Sequence, residues 1–273
     1  MAKGNVDHKL KRLRAWVQNY EWGRSGAEAE VARLMALNSG AEIDPNKPYA
    51  ELWMGTHESG PSVLVDDEQN VDLGLKEWIG KNPNVLGVKV LETWGSHLPF
   101  LFKVPSVGKA LSIQAHPDKE MAKELHKMKP NVYKDDNHKP EMALAITHFT
   151  ALCGFISLQE LKQVLEDVPE IVELVGIASA KQVMDIQEPD GATKVKSALR
   201  SVFTQLMSAS KEMASKEMTT KAISKLKSRL LLESQVRSLR EKEELVLELE
   251  KQYPGDIGVL SALLLNYVKL KAG

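Results

Sequence analysis

The feature that most constrains this chain is a change of hydrophobic period and side-chain usage near residue 155. All five Trp and all seven His lie before it. Up to Phe155 the chain is cut by turn residues, among them Gly55, Gly60-Pro61, Asn82-Pro83 and Pro105, into short runs rich in β-branched and aromatic residues. Residues 98–104 (LPFLFKV) and 110–115 (ALSIQA) are two such runs. Short strands at this spacing predict a sandwich or barrel, with a helix at 27–36 (AEAEVARLMA) set among them.

From Ser157 the period becomes helical. Ser157 and Glu160 carry the signature of a capping box, and Leu158, Leu161 and Leu165 then share one face. Val195, Leu199, Val202, Phe203 and Leu206 repeat the amphipathic spacing, as do Ile223, Leu226 and Leu230, with Pro169, Pro189 and Gly191 as breaks. The charge run 237–250 reads as a solvated helix face laced with i,i+4 pairs. The expected architecture is α+β: a β region over 1–156, a helical domain over 157–252, and a return segment over 253–273 after the break at Tyr253-Pro254-Gly255-Asp256.

Composition removes several function classes. Lys plus Arg total 36 against 37 Asp plus Glu, a balance that argues against nucleic acid as a partner, because a phosphate backbone demands clustered positive charge. The single cysteine, Cys153, has no partner for an internal disulfide, which fits a reducing cytoplasm. Its apolar neighbours in ALCGF place it in the core. The first residues lack an apolar stretch of signal-peptide length, and Ser261, Asn266 and Lys269 interrupt the longest late apolar run, so no membrane span is expected. No dinucleotide fingerprint, P-loop, HExxH helix or nucleophile elbow occurs.

The polar residues that remain fall into patterns. Ser112, Gln114 and His116 stand two apart, and a strand would turn all three to one face, with Leu111, Ile113 and Ala115 buried behind them. That face is either solvated or the start of a metal site. Lys139 and Glu141 flank Pro140 at the same spacing and read either as a surface ion pair or as a cation and a carboxylate for a mixed N/O site, while His138 has the opposite parity. Trp53 reads as core packing between Glu51 and His57, and Trp22 of YEWG as packing or as the wall of a sugar pocket.

Read together, YEWG, KPYAELWMGTH, LPFLFKV, LSIQAHPDKE, NHKPEMALA and QYPGDIG, in this order, resemble the type I mannose-6-phosphate isomerases of eukaryotes. The resemblance implies a cupin-like (jelly-roll) β-barrel with an all-helical domain inserted after its first β segment. It implies one Zn2+ per chain and interconversion of mannose 6-phosphate and fructose 6-phosphate, by moving a proton between C1 and C2 through an enediol-type intermediate, in the supply of GDP-mannose. By motif, the zinc ligands are Gln114, His116 and Glu141. Substrate contacts fall to Ser112, Lys103, Lys139 and Trp22, and catalytic roles to Lys139 and Glu51. The family's fourth ligand, a histidine in a later PHAYL-type motif, and a downstream basic segment have no counterpart before Gly273. The barrel is therefore expected to be incomplete, and a form without activity that binds metal or sugar phosphate weakly, or serves as an interaction partner, is the alternative reading.

Overall fold

The structure, a computed structural model, describes residues 10–66, 71–187, 191–209 and 213–273. The first nine residues and Pro189, expected to break a helix, lie outside the described residues. The chain divides into two compact units, Met1–Leu111 and Ser112–Gly273.

In the first unit β1 (Leu13–Arg14), β6 (Val63–Asp66) and β7 (Val71–Gly74) form one antiparallel sheet, in the order β1-β6-β7. A second, β2-β5-β8, joins β2 (Trp16–Gln18), β5 (Glu51–Met54) and β8 (Phe102–Pro105), and a third pairs β3 (Arg24–Ser25) with β4 (Pro48–Tyr49). Helix α1 (Glu30–Ser39) overlaps the expected run 27–36 but starts and ends three residues later, and α2 (Leu75–Lys81) and α3 (Val88–Trp94) follow β7.

Register sorts the side chains of the second sheet. Val17, Leu52 and Val104 stand opposite one another and pack with Met54 against Ala29, Val31 and Ala32 around α1, which makes this face the core of the unit. By the period of two, Trp16, Trp53 and Lys103 stand in line on the other face, beside Gln18 and Glu51. Gly60 lets its loop close over that face, since a Cβ there would meet the Trp16 indole at 2.5 Å.

The second unit starts with α4 (Lys119–Met128) and β9 (Phe149–Phe155). The helices α5 (Leu158–Asp167), α6 (Pro169–Val175), α7 (Ile177–Met184), α8 (Ala192–Ser208), α9 (Met213–Glu233), α10 (Glu241–Gln252) and α11 (Gly258–Ser261) come next, and β10 (Leu265–Leu270) closes the order. The Ser157 hydroxyl accepts from the Glu160 N–H and the Glu160 carboxylate reaches back to the Ser157 N–H, so the local signal starts α5 as anticipated. Leu161, Leu165, Val202, Leu206, Ile223, Leu226 and Leu230 are buried where the amphipathic spacing put them. Strand β10 lies antiparallel to β9, pairing Leu265 with Phe155 and Leu270 with Phe149. No described helix is long and apolar enough to cross a membrane.

Four expectations need correction. The run 110–115 is not a strand, because no described strand lies alongside to take its backbone hydrogen bonds, and Leu111 and Ile113, expected to be buried, are 42% and 44% exposed. Within 98–104 only the part from Phe102 onward is paired. Cys153 is exposed, since the β9–β10 pair leaves its side uncovered among the described residues. The charge run is not simply solvated: Glu243 and Glu250 are buried and ion-paired with Arg237, Arg240 and Lys227.

Candidate metal and substrate site

In the second unit the expected ligands sit on irregular chain fixed by its flanks. Asp118 caps α4 by accepting from the Met121 N–H (2.9 Å), which anchors the QAHP segment immediately after His116. His116 Nε2 and Glu141 Oε2 stand 3.2 Å apart, although 25 residues separate them in sequence. The Gln114 amide donates to the Ser112 hydroxyl at 3.4 Å. On the far side of Pro140 the His138 backbone N–H donates to the Asn137 side chain (3.1 Å). The second segment is steadied from behind, where the Gly273 N–H donates to the Ala145 carbonyl (3.0 Å).

The donor set suits a divalent ion of borderline softness: an imidazole nitrogen, a carboxylate oxygen and a neutral amide oxygen. Two ligands about 2.0 to 2.2 Å from a tetrahedral ion stand roughly 3.3 to 3.6 Å apart, by the geometry of the tetrahedron. The 3.2 Å between His116 and Glu141 is close to that span. Among the described residues no three His, Cys, Asp or Glu side chains gather at one place, and the Gln114 side chain meets Ser112.

In the first unit Glu51 is buried at 5% exposure, and its two oxygens are separately held. The Trp53 indole N–H donates to Oε2 (2.7 Å), and the Lys103 ammonium lies 3.3 Å from Oε1. Trp22, half-buried, stacks against Tyr20 with ring centroids 5.8 Å apart. Burial raises the pKa of the Tyr20 hydroxyl and the Glu51 charge adds to this, opposed by Lys103, which places all three groups in one electrostatic neighbourhood. The sequence reading left Trp53 as packing alone. Its parity with Glu51 in the strand ELWM was the signal that the indole donor and the carboxylate share a face.

Residues 10–158 match the family described as phosphomannose isomerase type I, catalytic domain, and residues 172–265 match phosphomannose isomerase type I, helical insertion domain. The chain is 60% identical to mannose-6-phosphate isomerase 1 of Arabidopsis thaliana over 97% of its own length and 60% of that protein's. It is 54% identical to mannose-6-phosphate isomerase 2 of the same organism, covering 62% of it. It thus spans about three fifths of the length of these curated relatives. Among solved structures, mannose 6-phosphate isomerase from Salmonella typhimurium bound to substrate (f6p) and zinc superposes with a TM-score of 0.68 at 27% identity, over 96% of this chain and 62% of that one. With the catalytic-domain description matching more than half of its length and the helical insertion matching most of the rest, this chain belongs to the type I phosphomannose isomerase family.

Proposed function

We propose that the chain carries the zinc-binding part of a cytoplasmic mannose-6-phosphate isomerase, which interconverts mannose 6-phosphate and fructose 6-phosphate. The observation that carries this reading is the approach of His116 to Glu141 within a member of this family. Relatives named as isomerases at 54% and 60% identity favour the enzyme over a form without activity. In this reading the β region over 1–156 is part of a cupin-like barrel, residues 157–252 are the inserted helical domain, and 253–273 return to the barrel.

Gln114, His116 and Glu141 hold Zn2+, two neutral ligands and one carboxylate. The ion, when bound, supplies Lewis-acid polarisation of a sugar oxygen. The remaining chemistry falls to the chain's own groups. Glu51, already fixed by an indole N–H and an ammonium, removes the proton from the hydroxyl-bearing carbon beside the carbonyl and returns it to the carbonyl carbon, while that hydroxyl's proton passes to the carbonyl oxygen. Lys139, Lys103 and the Ser112 hydroxyl supply positive charge and a donor to the phosphate. Trp22 gives the sugar ring an apolar wall.

The reading is tested by metal analysis of the purified chain and by a coupled assay for conversion of mannose 6-phosphate in the presence of zinc. One zinc per chain, lost in His116→Ala and Glu141→Ala, together with turnover abolished in the same variants, is the expected result. Full turnover by a zinc-free His116→Ala chain would overturn it.

A further inference from the structure

Away from the candidate site, seven charged residues of the helical part form one network, six of them closing into a ring with Glu170 as a branch. Glu170, in the first turn of α6 and 1% exposed, takes a bidentate pair from Arg229 of α9, with Nε at 3.0 Å and Nη2 at 2.8 Å. Arg229 also reaches Glu233 one turn further on (3.1 Å). Glu233 holds Arg237 in the connector to α10, and Arg237 forks onto Glu243 of α10 at 2.8 and 3.0 Å. Glu243 takes Arg240 (2.8 Å), and Arg240 reaches Asp167 at the end of α5 (2.6 Å). The Asp167 backbone carbonyl then accepts from Arg229 (3.2 Å), so the circuit returns to Arg229. The signs alternate all the way round.

The ring sits where α10 is fastened to its neighbours. Beyond it, α10 is tied to α9 by Lys227 and Glu250 (2.6 Å), and to β10 twice: Lys242 donates to the Leu265 carbonyl (2.7 Å) and Lys269 pairs with Glu241 (2.6 Å). Strand β10 has β9 as its only partner among the described strands. A two-stranded ribbon is marginal on its own, so whatever holds α10 also holds β10.

We propose that the ring is a latch that makes α10 and β10 open and close as one unit, detaching from the packed α5–α9 helices before those helices unfold. Removing a guanidinium leaves a buried carboxylate short of its partner, a cost that falls on the whole circuit because each of the six ring members holds two others. Partial openings of this kind are the ordinary currency of native-state hydrogen exchange.

The test is hydrogen exchange by mass spectrometry on the full chain and on Arg237→Met, which removes the link between Glu233 and Glu243. Amides in 241–252 and 265–270 should exchange about tenfold faster or more, and by the same factor, while those of α5 and α8 stay within about twofold. Acceleration spread evenly over all the helices would overturn the proposal, because the ring would then only add to overall stability. Acceleration in α10 without β10 would overturn it equally. If the variant does not fold, the unaltered chain in about 0.05 M and about 1 M NaCl gives the same comparison, since salt at the higher level screens half-exposed pairs. Paired acceleration of the two segments at high salt supports the latch, and no difference between them and α5 sinks it.

Discussion

Glu51 shows how much one residue's surroundings decide. A carboxylate with an indole N–H on one oxygen and an ammonium beside the other is fixed in direction, and taking away the neutral donor leaves a buried acceptor unsatisfied. Trp53→Phe keeps most of the ring and removes the N–H. It should lower unfolding stability by about 1 to 3 kcal/mol, read from urea denaturation followed by tryptophan emission. Glu51→Gln, which keeps the shape but loses the charge, should by contrast retain the fold while suppressing any isomerase turnover. At the opposite end of the scale of subtlety, Ser157→Ala removes the acceptor that starts α5 and should cost about 0.5 to 2 kcal/mol in the same measurement. That cap was legible because Ser157 and Glu160 are three residues apart and their reciprocal bonding needs nothing from elsewhere. The exposure of Cys153 was not legible. Apolar neighbours in sequence say nothing about which side of a strand pair is covered.

Between elements, the legible and illegible parts divide by sequence distance. The periodicity of Leu161 with Leu165, or Ile223 with Leu226 and Leu230, marks a buried face without naming the partner helix. Alternation in ALSIQA could mark a strand only if a neighbouring strand existed to complete the ladder, and none is described beside it. The charge run looks solvated in sequence for the same reason. Arg237 and Arg240 find Glu233 and Asp167 as well as Glu243, and Asp167 lies 73 residues before Arg240. Acid should expose this tertiary pairing. Burial pushes the Glu243 carboxyl up, but the guanidiniums of Arg237 and Arg240 and the Arg240 backbone N–H outweigh it and hold it at about 2. Burial opposes Arg229 at Glu170 in the same way, and the net direction there is also down. A depressed folded-state pKa means that the contribution is complete above the unfolded value of 4.5 and is lost as pH falls through the folded one. Helical circular dichroism should therefore hold its melting midpoint from neutral pH to near that value and then fall steeply toward pH 2. A midpoint unchanged across this window would mean that the carboxylates are not paired in solution.

For the chain as a whole, the central question is whether metal and fold are coupled. The proposed ligands His116 and Glu141 meet across a segment that includes α4, so an ion that binds only the folded form would stabilise it by mass action. At a free zinc level about a hundredfold above its dissociation constant this amounts to roughly 2.7 kcal/mol, visible as a raised melting temperature that His116→Ala or a chelator should erase. The proposed ligands stand out in the sequence by motif and residue type, while the 3.2 Å approach of His116 to Glu141 depends on how Asp118 and the β9–β10 pair anchor the two segments. That ribbon has one more consequence. Phe155 and Leu265 face each other across it, and the Ile156 N–H donates to the Leu264 carbonyl (3.2 Å), so the chain leaves and re-enters the sheet at the same point. Everything between is topologically a single long loop, and the cost of closing a loop grows only with the logarithm of its length. The helical part is in that sense a cassette pinned at both ends: its length can vary at little closure cost, provided α10 stays to anchor β10.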